Sequence, residues 1–301
     1  MVAIVRPLRT PQGALVAPIG EGGASPMAPD ARARTVGPFA LVAHFDATFA
    51  PGEAPVDLDV RPHPHIGIAA LSYLFAGAVT HRDGLGNAVE ILPGDAAWMV
   101  TGRGVVHSER IPAVRERGGR FNGLQIWIAL PDGEEDCEPS FEVVRAADVV
   151  VSESPGVRIR RVVGAGVARP RAEGATFFED VELAPGAAYA VPTAAEGALH
   201  VLEGMLAMDG LAVGAGETAT LAAGDPRRFV ARERARAIAF GGDAVGPRYV
   251  WWNYVHSSTE RIEDAKVRWR ERRFELPAND RDDVIPLPAD HERPLRRLNA
   301  R

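Results

Sequence analysis

The chain has 301 residues, of which 46% are hydrophobic and 25% charged, and this composition excludes a mainly disordered protein. The formal net charge of −6 gives no electrostatic case for binding nucleic acid or an anionic membrane. No apolar run approaches the ~18 residues of a membrane-spanning helix, and the first twenty residues lack the pattern of a signal peptide. The single cysteine, Cys137, cannot form an intrachain disulfide, so we expect a cytoplasmic protein.

Short apolar runs separated by turn residues predict an all-β fold over most of the chain. The 31 glycines and 24 prolines favour short elements joined by turns. The runs are rich in Val, Ile, Leu and aromatic residues, which favour strands, and they cover residues 69–75, 96–100, 124–130, 157–163 and 229–240. Many short strands of this kind are typical of a β-sandwich or β-barrel.

A weak internal repeat predicts two barrels in tandem. In the first half, residues 74–77 end in a glycine and are followed by the turn Pro93-Gly94-Asp95. In the second half, residues 201–204 also end in a glycine and are followed by the turn Ala223-Gly224-Asp225. We expect the two barrels to join between Pro131 and Ser154.

The C-terminal region has a different pattern. Ser257 and Glu260 fit a capping box, and apolar residues then recur at helical spacing at Ile262, Ala265 and Trp269. This pattern predicts a helix from Ser257 to about Arg273. Prolines interrupt the residues that follow, at positions 286, 288 and 294, and predict an extended tail on the surface. The cations near the end of the helix favour its dipole and indicate a solvated face.

Two pairs of polar residues are the main candidates for a functional site. Residues i and i+2 of a strand face the same side, so His63 and His65 should project together, and His107 and Glu109 likewise. Two such pairs on neighbouring strands can converge inside a barrel. Pro62 and Pro64 cannot donate ladder hydrogen bonds, so we expect this strand to be marginal or to lie at a barrel rim. The alternative is that these are four unrelated polar residues, each satisfied by hydrogen bonds.

Three imidazoles and one carboxylate suit a divalent first-row metal. Imidazole accepts Fe, Zn, Cu or Ni, and the hard carboxylate favours Fe or Mn. These residue types leave the metal open among Fe, Mn, Ni, Co, Cu and Zn. Four protein ligands on an octahedral metal leave about two positions for O2, water or a chelating substrate.

The double histidine pattern resembles the cupin superfamily and, within it, the pirin family. The most specific matching stretches are residues 61–67, 71–75, 81–83, 85–86, 93–95, 98–99, 101–110 and 125–131. Further similarity covers residues 250–258, 273–274 and 285–288. The resemblance implies two tandem cupin (jelly-roll) barrels with a C-terminal helix and an extended tail. We expect a metal-binding barrel at 1–140, a probably metal-free barrel at 141–250, and the helix and tail at 251–301.

The resemblance implies two alternative functions. In pirins, three His and one Glu hold iron, and these match His63, His65, His107 and Glu109. The resemblance therefore implies Fe(II) as the metal, with other divalent metals as alternatives. Some relatives cleave quercetin with O2, which implies a dioxygenase on a flavonol or another phenolic, with Glu109 also acting as the base. Others are transcription co-regulators, which implies an iron- or redox-sensing protein that binds a protein partner. We expect a monomer in either case.

The chain departs from the family pattern at several positions around the motif. Ala69 stands where a glutamate is common, Ala43 where an aspartate is common, Gly84 where a serine is common and Val143 where a histidine is common. These changes leave the four matched ligands intact, and we expect them to affect the pocket.

The other histidines give weaker predictions. His44 is either a group that orients a ligand imidazole or a hydrogen-bonded strand histidine. His81 precedes a turn, and we expect it at the surface or in that turn. His200, His256 and His291 are isolated in the sequence, and we expect structural or exposed roles for them.

Overall fold

The computed structural model describes residues 35–167, 175–289 and 295–298, and the backbone of three short strands near the N-terminus. The N-terminal strands are β1 (Ala3–Val5), β2 (Leu8–Arg9) and β3 (Leu15–Val16). The first barrel contains β4 (Phe39–Phe49), β5 (Val60–His65), β6 (Ile68–Ala76), β7 (Val79–Asp83), β8 (Ala88–Ile91), β9 (Ala96–Val100), β10 (Val105–Arg110), β11 (Gly119–Ala129) and β12 (Ser140–Val144). It also contains a short 3-10 helix at Val56–Leu58 and helix α1 at Pro112–Arg117.

The second half contains the remaining elements. Its barrel strands are β13 (Val150–Ser154), β14 (Val157–Val163), β15 (Phe177–Leu183), β16 (Ala188–Ala190), β17 (Glu196–Glu203), β18 (Met205–Met208), β19 (Leu211–Gly214), β20 (Thr218–Ala222), β21 (Arg228–Ala231) and β22 (Ala235–Gly242). They are followed by β23 (Arg248–Trp251), β24 (Tyr254–His256), helix α2 (Thr259–Arg270) and β25 (Arg296–Leu298). The predicted all-β fold with two tandem barrels and a C-terminal helix is confirmed.

Each barrel is built from two antiparallel sheets. In the first barrel, a four-stranded sheet in the order β5-β10-β7-β8 faces a five-stranded sheet in the order β12-β9-β6-β11-β4. In the second barrel, the sheets have the orders β1-β20-β17-β22-β15-β14-β13 and β16-β21-β18-β19. Strand β5 lies at the edge of its sheet, where its two prolines are tolerated because an edge strand needs fewer ladder donors.

Two details of the predicted organisation are wrong. The run at 229–240 forms two strands, β21 and β22, because the polar residues 232–234 make a bend between them. The first barrel extends past residue 140, since β12 pairs with β9 from Ser140↔Val100 to Val144↔Ala96 and so belongs to the first barrel's sheet. The join therefore falls between Val144 and Val150, inside the predicted interval of 131–154.

One buried apolar cluster fills the second barrel, and another joins the two barrels. A cluster of buried apolar residues fills the second barrel and includes Leu199, Val201, Leu206 and Phe229. A separate buried cluster lies between the barrels, where Leu71 and Tyr73 of β6 meet Phe178 of β15 and Phe240 of β22. Burial of these apolar surfaces joins the two barrels.

Helix α2 begins two residues later than predicted. Its N-cap is Ser258, whose Oγ accepts a hydrogen bond from the Arg261 amide (3.3 Å). Ser257 cannot fill this role because its amide and hydroxyl both donate to the buried Glu135 carboxylate. Ile262, Ala265 and Trp269 form the buried face of the helix. No helix in the described ranges is long and apolar enough to span a membrane.

Residues 271–288, here called the strap, lie across the outer face of the β5-β10-β7-β8 sheet. The Ile285 amide donates to the Pro62 carbonyl (2.9 Å), and Arg110 makes two hydrogen bonds to Asp280 (2.9 and 2.7 Å). The Trp269 indole donates to the Ile285 carbonyl (3.1 Å), which links the strap to α2. The predicted tail therefore has defined contacts on the sheet that carries the histidines.

Candidate metal centre

Three histidines meet inside the first barrel. His63 and His65 come from β5 and His107 from β10, and one ring nitrogen of each lies within 4.8 Å of the others. Antiparallel pairing sets His107 directly opposite His63 and Val105 opposite His65. Alternation along both strands then turns all three side chains to the barrel interior, as the period-two spacing predicted.

The hydrogen bonds of His63 and His65 use one nitrogen of each ring and leave the other with a lone pair. His63 Nδ1 lies 2.8 Å from the Arg61 carbonyl oxygen, and His65 Nδ1 lies 3.1 Å from that of Asn253. A carbonyl only accepts, so both Nδ1 atoms carry the proton and each Nε2 keeps a lone pair. Neither nitrogen of His107 has a hydrogen-bond partner among the described residues.

The chemistry of this donor set fits a divalent metal ion. The three histidines are only 5%, 1% and 2% exposed, and burial lowers the pKa of His63 to about 4 and those of His65 and His107 well below their usual value. The rings are therefore neutral at pH 7, as metal ligands must be. A buried imidazole with two unpaired nitrogens is costly unless something binds it. His63, His65 and His107 could hold the metal.

Glu109 is not among the side chains that meet within 4.8 Å. The pairing of β10 with β5 shifts register after His107, so that Glu109 opposes Val60. Its Oε1 instead accepts a hydrogen bond from Ser72 Oγ (3.0 Å). Burial raises the pKa of this half-buried carboxyl group, an effect that His81 and Ser72 oppose. Its role as a fourth ligand stays a prediction.

The expectation that His81 lies at the surface is wrong. His81 is only 2% exposed and lies opposite Glu109 in the pairing of β7 with β10. Its Nε2 bonds to Asp83 (3.1 Å), and its ring stacks on Phe141 at a centroid distance of 4.0 Å. The turn begins only after Asp83, and alternation from Asp83 back to His81 was the signal for an interior position.

Ser72 and Gln125 also face this site and had no predicted role. They are directly opposed on β6 and β11, and their polar atoms lie 2.8 Å apart. The available signal was Ser72 itself, a hydroxyl in the otherwise apolar run 69–75. Near the triad the barrel is apolar, with Met99, Trp127 and Ala70 in one buried cluster.

The remaining histidines lie away from the triad. His44 bonds to Asn122 (3.1 Å) and to His200 (3.2 Å), which favours a hydrogen-bonded strand histidine over a group that orients a ligand. His200 and His256 are buried, 1% and 5% exposed, in agreement with structural roles. His291 falls outside the described residues.

The departures from the family pattern differ in their position. Ala69 belongs to the apolar cluster between the barrels, so its side chain points away from the triad. Ala43 is directly opposite Gln125 and packs on the interior cluster. Val143 packs against the apolar cluster at the other end of the first barrel. Gly84 lies beneath the strap, where a Cβ atom would be 2.2 Å from the Glu275 carbonyl oxygen.

Comparison with known proteins supports the family resemblance. The family model described as Pirin matches residues 24–128, and the model described as Pirin C-terminal cupin domain matches residues 178–275. A pirin-like protein of Caulobacter vibrioides is 40% identical over 261 residues, covering 85% of this chain and 90% of the relative. A Pseudomonas aeruginosa protein provisionally named a quercetin 2,3-dioxygenase is 31% identical over 270 residues, covering 86% and 82%.

Solved structures show the same fold. A quercetin 2,3-dioxygenase from Acinetobacter baumannii aligns with a TM-score of 0.81 and 23% identity, covering 96% of this chain and 95% of that one. A bacterial pirin from Escherichia coli, solved in complex with nickel(II), aligns with a TM-score of 0.60 and 16% identity, covering 81% and 100%. At these identities the likeness concerns the fold.

Proposed function

The chain belongs to the pirin family, and from that premise we propose that it is a non-haem metal protein, with Fe(II) as the metal, that acts as a dioxygenase on a flavonol such as quercetin or another phenolic. The observation that carries this proposal is the buried set of three neutral imidazoles, one of which has no hydrogen-bond partner for either ring nitrogen in the described part of the chain. The relative provisionally named a quercetin 2,3-dioxygenase supports the choice of substrate class.

The residues around the triad suit a phenolic substrate. When bound, a divalent metal ion supplies Lewis acidity toward substrate oxygens and a redox centre for O2. Met99 and Trp127 give an apolar wall for an aromatic ring. Glu109 is the acceptor for the phenolic proton, since it lies two residues after His107 on the same strand and burial raises the pKa of its carboxyl group.

Anaerobic purification, metal analysis and oxygen-electrode traces with quercetin test this function. We expect about one iron per chain, by the single triad in the described residues, and O2 uptake that His107→Ala abolishes. Glu109→Gln should retain metal but lose turnover, because the amide cannot take the proton. Full activity of Glu109→Gln would exclude the base role.

The same experiment separates the two functions that the family offers. Bound metal without O2 uptake on any phenolic would exclude the dioxygenase and favour a metal-dependent binding protein. The 1–5% exposure of the three histidines is the observation in favour of that alternative, because it leaves little of their surface accessible to a substrate. Absence of stoichiometric metal would exclude both functions.

A further inference from the structure

The Glu109 carboxylate is held by Ser72 of the opposite sheet, and Ser72 is in turn bonded to Gln125. Ser72 Oγ lies 3.0 Å from Glu109 Oε1 and 2.8 Å from the Gln125 side chain. Ser72 is 8% exposed, so water gives it little alternative bonding. The pair of Ser72 on β6 and Gln125 on β11 thus meets a carboxylate that projects from β10.

The number of protons on each group determines which one donates in the Ser72–Glu109 and Ser72–Gln125 hydrogen bonds. A hydroxyl group has one proton, and an ionised carboxylate can only accept. The Ser72 proton must therefore go to Glu109. Ser72 Oγ is left as an acceptor, so the Gln125 amide must present its NH2 group, since the two ends of an amide are interchangeable in such assignments. Gln125 donates to Ser72, and Ser72 donates to Glu109.

A register shift in the backbone separates Glu109 from the three histidines. The register of β10 on β5 shifts between His107 and Glu109. The three histidine nitrogens lie within 4.8 Å of one another, whereas Glu109 stays outside that group while its bond to Ser72 is made. Because the carboxylate lies outside the histidine group while this bond is made, we expect it to leave the Ser72 hydroxyl when it joins the histidines.

We propose that Ser72, oriented by Gln125, is a positioning residue that holds the Glu109 carboxylate off the histidine triad, so that the Ser72 hydroxyl and a bound metal compete for it. This inference rests on the proposed metal-binding function. It gives Glu109 two positions, one on the metal and one beside it, and Ser72 sets the balance between them.

Titration of the metal-free full chain with Co(II) tests the proposal. A hydrogen bond to a charged group contributes about 1.5–3 kcal/mol, which corresponds to roughly 10- to 100-fold. We therefore expect Ser72→Ala to bind Co(II) at least about 10-fold more tightly than wild type, with a changed visible spectrum because Glu109 enters the coordination shell. Ser72→Thr keeps the hydroxyl and should restore wild-type affinity and spectrum.

A double-variant comparison separates positioning from a packing effect. In a Glu109→Gln background, Ser72→Ala should leave Co(II) affinity unchanged, because the competing carboxylate is gone. Unchanged or weaker Co(II) binding by Ser72→Ala alone would overturn the proposal while leaving the metal site in place. The same gain in both backgrounds would overturn it too. No Co(II) binding by wild type would overturn the proposed function and this inference with it.

Discussion

His107 differs from the other two triad histidines in having no hydrogen bond from either ring nitrogen to a described residue. His63 and His65 each bond to a backbone carbonyl and are held in place without a metal. His107 is held by its strand and by ring contacts, with its centroid 4.4 Å from that of His63 and 5.1 Å from that of His65. The metal-free protein therefore contains a desolvated polar group that a metal ion would satisfy.

This difference predicts opposite effects of two similar substitutions in chelator-treated protein. His107→Leu removes an unpaired buried imidazole, whose desolvation costs about 1–3 kcal/mol, so the free energy of unfolding should be unchanged or higher. His65→Leu leaves the Asn253 carbonyl without its donor and should lower the free energy of unfolding. Urea unfolding measures both. A larger loss in His107→Leu than in His65→Leu would contradict the argument.

With metal present, wild type should become more stable than His107→Leu. A ligand that binds only the native state stabilises it in proportion to the logarithm of its concentration over Kd. Wild type should therefore gain stability as metal is added, and His107→Leu should not. The control is the same titration with excess chelator, in which neither protein responds.

At the scale of elements, the strap is anchored beside two of the matched ligand positions. Pro62, which accepts from the Ile285 amide, precedes His63, and Arg110, which bonds to Asp280, follows Glu109. Asp283 of the strap also pairs with Arg61 (2.7 Å). Strands β5 and β10 are thus held from outside by the strap while their inner faces carry the triad.

The two strap ion pairs provide a matched prediction. Arg110 and Asp280 are 19% and 12% exposed and make two hydrogen bonds, whereas Arg61 and Asp283 are 41% and 66% exposed. Asp280→Ala should cost about 1.5–3 kcal/mol of unfolding free energy, and Asp283→Ala about 0–1 kcal/mol. Proteolysis within the strap should accelerate only in Asp280→Ala. Equal effects of the two variants would show that the strap is not held by the Arg110 pair.

How far the sequence predicts these elements depends on the range of the interaction. Period two is a local property of a strand, so the joint projection of His63 and His65 follows from five residues. The position of Glu109 does not, because it depends on a register shift between β10 and β5 that involves two distant segments. The Gly84 departure is explained only by the strap, which approaches from almost two hundred residues along the chain.

At the scale of the whole molecule, polar groups as well as apolar ones connect the two barrels. His44 of β4 and His200 of β17 are 2% and 1% exposed and join in a directed chain. The Thr218 hydroxyl donates to His200 Nδ1 (2.9 Å), His200 Nε2 to His44 Nδ1 (3.2 Å), and His44 Nε2 to Asn122 Oδ1 (3.1 Å). Each ring has one proton in this arrangement. Burial lowers the pKa of both rings, so both histidines are neutral in this chain of bonds at pH 7.

The interface should therefore weaken in acid. Burial lowers the pKa of His200 to about 3, and burial also lowers that of His44, although the Asn122 bond and Asp46 oppose the effect and Arg120 adds to it. The unfolded chain takes up these protons below pH ~6.5 while the native chain does not. Stability is thus fully present above that pH and falls as the pH drops from about 6.5 toward 3.

Unfolding free energies of chelator-treated protein between pH 7.5 and 5 test this linkage. Each neutral buried histidine contributes up to about 1.4 kcal/mol per pH unit to the slope. His200→Gln keeps donor and acceptor groups but cannot titrate. Its unfolding free energy should therefore depend less steeply on pH than that of wild type, by up to about 1.4 kcal/mol per pH unit, the contribution of one proton. Thr218→Val is the control, because it removes a hydrogen bond without removing a titrating group and should lower stability equally at every pH. If His200→Gln ran parallel to wild type, the acid sensitivity would belong to other groups, among them the three triad histidines, and not to the inter-barrel pair.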